Sequence, residues 1–246
     1  MDAGEYDLLD RLESRMWWYL GLHRQLAAAL TRLAPGATGG VLLDAGCGTG
    51  GLLRQLRDHA RGLTRVGLEI SPAAASRAAA KSGAAIVSGS VNAMPLADGS
   101  VAAIVSADVL CHARVDPKLA LAEMRRVLAP GGVVVLNVPA YDWLRSAHDE
   151  RVHNARRFTA SGITPLLLAA GLVPVRTTYW NSFLLPVMLA RRLLSRGGAG
   201  KSDVMEYPAA LNALFGAVLT VERWLIALGL RLPAGGSLLV VARKNA

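Results

Sequence analysis

Short apolar runs alternate with stretches of helical spacing along most of the chain. The runs at 41–45, 64–69, 84–88, 101–107, 132–138, 172–180 and 237–243 have the length of strands. Between them, residues 50–60, 72–82, 116–128 and 159–170 place apolar side chains at helical intervals, and 5–34 reads as a longer helix ahead of the first strand. Such alternation predicts an α/β fold, a parallel sheet with helices on both faces. Ligands then bind beyond the carboxyl ends of the strands.

One stretch breaks the pattern. Residues 181–236 separate the last two strands, far too many for a hairpin turn. Within them Leu211, Leu214, Val218, Val221, Leu225 and Leu228 share a helical stripe, Phe183 to Leu194 is a shorter apolar segment, and Gly197 to Gly200 reads as a joint. Neither segment reaches the ~20 uninterrupted apolar residues that span a bilayer, and Glu222-Arg223 interrupts the longer one. The insertion reads as a helical cap on the domain or on a second subunit. Alternatively it is a lid for a greasy substrate, or a membrane-docking surface helped by Arg191 and Arg192. The expected organisation is an N-terminal helical cap at 1–37, a core at 38–180 and 237–246, and the insertion at 181–236.

Composition narrows the class. With 246 residues, 52% of them hydrophobic, the chain can bury one large core and is not a disordered protein. Cys47 and Cys111 stand far apart, so neither a disulfide framework nor a zinc site is suggested, and no metal is expected. The first residues lack the basic start and apolar core of a signal peptide. The expected location is the cytoplasm, with peripheral contact at the inner membrane as a further expectation. A net charge of +9 raises the question of nucleic acid. The arginines are scattered along helices, without a basic tract or a basic-aromatic stripe, so nucleic acid is not expected as a partner.

The chemistry concentrates in Val41-Leu42-Leu43-Asp44-Ala45-Gly46-Cys47-Gly48-Thr49-Gly50. A buried strand ends at Asp44. The glycines let the backbone turn closely against a ligand, and the following helix start favours an anion or carboxylate. Glycines alone also fit a dinucleotide fingerprint, Gly46-x-Gly48-x-x-Gly51. Asp44, just before the first glycine, suits an ammonium or hydroxyl better than a pyrophosphate. Glu69 ends the second strand at about the 20-residue offset where a carboxylate grips ribose hydroxyls. Downstream come Met94-Pro95-Leu96 and Leu128-Ala129-Pro130-Gly131-Gly132.

This ordered series resembles the class I S-adenosylmethionine (SAM)-dependent methyltransferases, in the small-molecule branch that includes ubiquinone-type biosynthetic enzymes, over roughly residues 38–180. The resemblance implies a Rossmann-like α/β fold, a mostly parallel seven-stranded sheet whose last strand is antiparallel, with SAM as cofactor and S-adenosylhomocysteine as product. It places Asp44 and Gly46 near the methionine moiety, Gly48 and Gly50 at the turn, Glu69 on the ribose and Ile70 beside the adenine. Cys47, Val91 and Ala107 complete the cofactor set. Where the family often has Asp in the third loop this chain has Ser90, with Asn92 as a substitute for the adenine contact.

Acceptor-side candidates come from three places. Trp17-Trp18-Tyr19 resembles a run in many bacterial members, and adjacent rings point about 100° apart on a helix, so at least one faces the active-site mouth or a partner, with Trp18 the substrate-binding candidate. Tyr141, Trp143, His148, Asp149, His153, Arg156 and Arg157 follow the fifth strand and resemble a run found in a bacterial subgroup. Here His148 or His153 is expected as general base, Arg156 and Arg157 as an anchor for an anionic acceptor, and Tyr141 and Trp143 as walls. The competing reading makes His148, Asp149 and Arg157 a polar network stapling this loop to the cap. His112, after the fourth strand, is a further catalytic candidate. The expected activity is methyl transfer, at oxygen, to a small-molecule or lipid-like acceptor in bacterial specialised or envelope metabolism. A SAM-binding cyclase or partner subunit and an RNA methyltransferase are the alternatives, and a homodimer through 181–236 is a further expectation.

Overall fold

The computed structural model describes residues 3–33, 39–59, 62–194 and 205–245. Its strands are β1 (Val41–Ala45), β2 (Thr64–Glu69), β3 (Ala85–Ser88), β4 (Val101–Ala107), β5 (Leu128–Pro139), β6 (Leu172–Trp180) and β7 (Ser237–Lys244). They form a seven-stranded sheet in the order β3-β2-β1-β4-β5-β7-β6. The pairs from β3 to β5 are parallel, and β7 runs antiparallel to both β5 and β6. The mostly parallel α/β architecture expected from the sequence is therefore present.

The helices are α1 (Ala3–Leu12), α2 (Trp17–Leu33), α3 (Gly51–Gln55), α4 (Pro72–Ser82), α5 (Pro117–Val127), α6 (Ala147–Arg151), α7 (Ala160–Ala169), α8 (Leu185–Leu194) and α9 (Ala209–Ala227). Local chemistry fixes several starts. Ser71 accepts from the Ala74 N–H, with Pro72 at the first position of α4. Asp116 and Pro117 repeat the device at α5, and Thr159 caps α7 through the Gly162 N–H.

Alternation along the strands gives each face its own packing. Ile104, Leu136 and Val240 bury against Leu121 and Met124 of α5 and Ile163 and Leu167 of α7. The next residues along, Ala103, Val105, Val135 and Val241, share a cluster with Leu26 of α2 and Leu219 and Ile226 of α9. The N-terminal helix and the insertion thus pack into the same core as the sheet.

Three sequence expectations are corrected. The helix expected over 5–34 is two helices, because the chain breaks after α1 to drive Glu13 under the glycine loop. There Glu13 accepts from Thr49 Oγ1 (2.6 Å) and the Gly51 N–H (3.0 Å) and pairs with Lys81. The helix expected over 50–60 is only Gly51–Gln55, continued by turns through 59. Leu128, expected as the end of a helix, already belongs to β5, where it pairs with Val101 ahead of an irregularity in register. The joint expected at 197–200 and the side chains of residues 191 and 192 lie outside the described residues.

Glu222 fastens α9 to the chain leaving β6. Buried on α9, it accepts from the backbone N–H groups of Asn181, Ser182 (2.9 Å) and Phe183 (3.1 Å). Glu222→Leu strands these donors at about 1 kcal/mol or more each. A loss of roughly 3 kcal/mol should lower Tm by roughly 6–12 °C in a thermal melt. An unchanged Tm would show that α9 is held by apolar packing alone.

Candidate active site

The carboxyl ends of β1, β2 and β4 open into a cavity of about 870 Å³, near the upper end of the range for small-molecule sites. Asp44, Gly46, Cys47, Gly48, Glu69, Ile70, Ser90, Val91 and Ala107 all line it. Gly46 and Gly48 have φ of +85° and +55°, so the loop lays bare backbone against the space. The Gly48 N–H donates to Glu69 Oε2 (2.9 Å), while Oε1 accepts from the Ser71 N–H (2.9 Å) and the Tyr6 hydroxyl (3.2 Å). Glu69 thereby ties the glycine loop, the β2–α4 turn and α1 together.

Asp44 is the unsatisfied member of this cradle. It is 1% exposed, and its Oδ2 is buried with no hydrogen-bond partner among the described residues. Burial, and then the charges of Glu13 and Glu69, push its carboxyl up to about 8. A buried acceptor without a donor is costly unless a ligand supplies one. An ammonium or hydroxyl group would relieve Asp44, so the cradle fits the polar end of an amino-acid-bearing nucleoside.

Two of the expected cofactor residues are elsewhere. Gly50 does not line the cavity; it starts α3 at φ +89°, where a Cβ would lie 2.7 Å from Ala78 Cα. Its absent side chain lets α3 and α4 touch. The Asn92 side chain braces another turn, donating to the Arg114 carbonyl and accepting from the Asp116 N–H. The Cys47 thiol, pushed up by burial and nearby carboxylates, is held as a neutral group.

On the acceptor side Trp17, Trp18 and Tyr19 all line the cavity, together with His112, His148, His153 and Arg157. Trp18 also stacks on Trp180 at 6.4 Å. Tyr141, Trp143 and Arg156 are corrected. Tyr141, at φ +52°, turns its ring onto Tyr179 (4.9 Å) and Trp143 stacks outside it, 62% exposed. Arg156 donates to the carbonyls of Leu110, His112 and Val115 at 2.7–3.0 Å, pinning the loop after β4 rather than facing the cavity. Arg157 is buried in a 2.8 Å ion pair with Asp149 and also donates to the Ala140 carbonyl. The pair thus staples residues 140–157 to one another, not to the cap.

Sequence reasoning passed over Asp108, the residue that leaves β4 into the cavity. Its backbone is left-handed at φ +54°, a strained state that concentrates at working sites. The Trp180 indole N–H donates to Asn137 Oδ1 (2.7 Å), and Asn137 Nδ2 donates to Asp108 Oδ1 (2.8 Å). Burial raises the Asp108 carboxyl to about 7, against the lowering effects of Asn137 and Arg157. The signal was available: Asp108 ends its strand as Asp44 and Glu69 end theirs. His23, buried from α2 against the same space, is lowered to about 4 by burial and stays neutral.

Comparison with known proteins agrees with this geometry. Residues 43–136 match the family described as a methyltransferase domain. The chain is 32% identical over 153 residues to 24-methylenesterol C-methyltransferase 2 of Oryza sativa subsp. japonica, covering 55% of this chain and 39% of that one. It is 33% identical over 157 residues to the malonyl-[acyl-carrier protein] O-methyltransferase of Dechloromonas aromatica, covering 61% and 57%. The chain thus spans less than two thirds of either relative. Geranyl diphosphate C-methyltransferase from Streptomyces coelicolor A3(2) has the same fold, with TM-score 0.59 and 17% identity over 88% of this chain and 74% of that one. Residues 43–136 thus match a methyltransferase domain, and the sheet around them has the fold of solved methyltransferases.

Proposed function

We propose that the chain transfers the methyl group of SAM to a small, lipid-like acceptor, with oxygen as the receiving atom. The observation that carries this reading is one cavity lined both by the carboxylate cradle and by the aromatic residues of α2. Bound SAM supplies an electrophilic methyl group on a sulfonium. The chain's own residues do the rest. Asp44 and Glu69 take the ammonium and hydroxyl groups of the cofactor, and the acidic cluster formed with Asp108 favours its positive charge. Trp17, Trp18 and Tyr19 exclude water and hold an apolar acceptor, so that alignment supplies much of the rate.

For a hydroxyl acceptor the proton must leave as the oxygen–methyl bond forms. Asp108, oriented by Asn137, receives it. His112, His148 and His153 stand around the same space as hydrogen-bond partners of the acceptor. The turnover rate should rise with pH through about 7, as Asp108 becomes charged. Asp108→Asn should remove that dependence and lower turnover roughly 10²–10⁴-fold, with SAM binding kept. A carbon acceptor is the second reading, favoured by the aromatic wall and by the two relatives named for C-methylation.

The test uses methyl-labelled SAM, the purified chain and bacterial extract separated into lipid, small aqueous, protein and RNA fractions. Label in the lipid fraction, lost with Asp108→Asn, is the expected result. The labelled atom in the product separates oxygen from carbon. Label confined to RNA, or SAM bound without release of S-adenosylhomocysteine, would overturn the reading.

A further inference from the structure

The outward face of α9 is apolar along its length. Leu214, Val221, Trp224 and Leu228 recur at helical intervals with 56%, 56%, 63% and 83% exposure. Ala210 and Ala217 occupy the same stripe. From Leu214 to Leu228 it runs about 21 Å at 1.5 Å per residue. The inward face is spent on the protein through Leu219, Ile226 and Glu222.

Among the described residues charge along the stripe is mainly basic, with the exposed Glu206 ahead of the first turn of α9 as an acid beside it. The charged residues of α2 are Arg24 and Arg32; on α9 Glu222 is buried, which leaves Arg223. Arg231 follows α9, and Arg176 donates to the Ile226 and Leu230 carbonyls. Among the described residues none of Arg24, Arg32, Arg223 and Arg231 is ion-paired with an acid. Burial, and then the like charge of Arg24, lowers Arg223, and burial with the charges of Arg32 and Arg231 lowers Arg176. A protein surface with unpaired arginines beside a bare apolar stripe is complementary to an anionic, apolar partner.

The cavity opens beside this face. Val187 and Leu211 line it, and both are about half-exposed. We infer that α9 docks in the plane of an anionic phospholipid bilayer. Its stripe enters the acyl boundary, the arginines meet headgroup phosphates, and Val187 and Leu211 mark where a lipid-like acceptor enters. The entry route rests on the lipid-like acceptor reading above; the docking does not. By length and composition α9 is long and apolar enough to cross a membrane, which corrects the expectation from the sequence, but it is tied down. Glu222 holds the turn after β6, and Asn212 accepts from the Trp17 N–H and donates to the Arg15 carbonyl.

The test is co-sedimentation of the full chain with phosphatidylcholine vesicles and with vesicles containing 30 mol % phosphatidylglycerol (about 30%, enough for a negative surface). At least tenfold stronger binding to the anionic vesicles is expected, weakened by salt. Trp224→Glu/Leu228→Glu and Arg24→Glu/Arg223→Glu should each abolish it, with SAM affinity, read by calorimetry, unchanged. Equal binding to both vesicles, or none to either, overturns the inference. So does a stable wild-type dimer that the Trp224→Glu/Leu228→Glu variant dissociates, because the stripe would then be covered by a second copy. Vesicle binding by a chain that does not bind SAM would sustain the docking and sink the methyltransferase reading.

Discussion

Gly48→Arg should lower the affinity for SAM by roughly 100-fold or more, equivalent to about 2.7 kcal/mol, while the chain stays folded. Gly48 lines the cavity and its N–H holds Glu69. A Cβ there would meet only Leu9 Cδ2, at 3.3 Å, the movable end of a side chain. The φ of +55° costs a non-glycine residue about 1–2 kcal/mol, which a domain of this size survives. The arginine side chain then enters the cradle and pairs with its carboxylates, where the cofactor's polar groups belong. Gly50→Ala makes the instructive contrast, since its Cβ would strike the backbone of Ala78 and the fold itself should suffer. Calorimetric titration with a thermal melt separates the cases. A folded Gly48→Arg chain that titrates like the wild type would mean the cradle has been placed wrongly.

The second large effect is structural. Arg157→Met should destabilise the chain by about 3–5 kcal/mol, because it leaves Asp149 buried and uncompensated. Asp149 is 1% exposed, bonds the Ser146 N–H at 2.8 Å to start α6, and receives Asn154 Nδ2 at 3.2 Å. Burial by itself would raise its carboxyl. The bonds and charge of Arg157, with Ser146 and Asn154, outweigh that and hold it below the ordinary 3.8. A depressed folded-state value means the stabilisation is complete above pH 3.8 and is lost as pH falls below it. The gap between wild type and Arg157→Met in urea melts should therefore be full at pH 7 and shrink below about pH 4. A gap that persists undiminished in acid would show that Arg157 acts through packing and the Ala140 carbonyl instead.

What could be read from the sequence follows from range. Asp44, Glu69 and the glycine turn were legible because strand, carboxylate and turn are contiguous. The break between α1 and α2 was not, since its cause is Glu13 meeting Thr49, Gly51 and Lys81 across the fold. Density of polar and aromatic residues misplaced Tyr141, Trp143 and Arg156 for a related reason. Backbone direction, left-handed at Tyr141, decides where a side chain points, and composition does not record it. Asp108 is the opposite case: it ends its strand as Asp44 and Glu69 end theirs, and its position alone marks it.

The most direct test of the central claim is a calorimetric titration of the unsubstituted chain with SAM, S-adenosylhomocysteine and NAD. The cradle of Asp44, Gly46, Gly48 and Glu69 predicts one SAM per chain, displaced by S-adenosylhomocysteine, and no heat from NAD. Saturable NAD binding with none from SAM would contradict it.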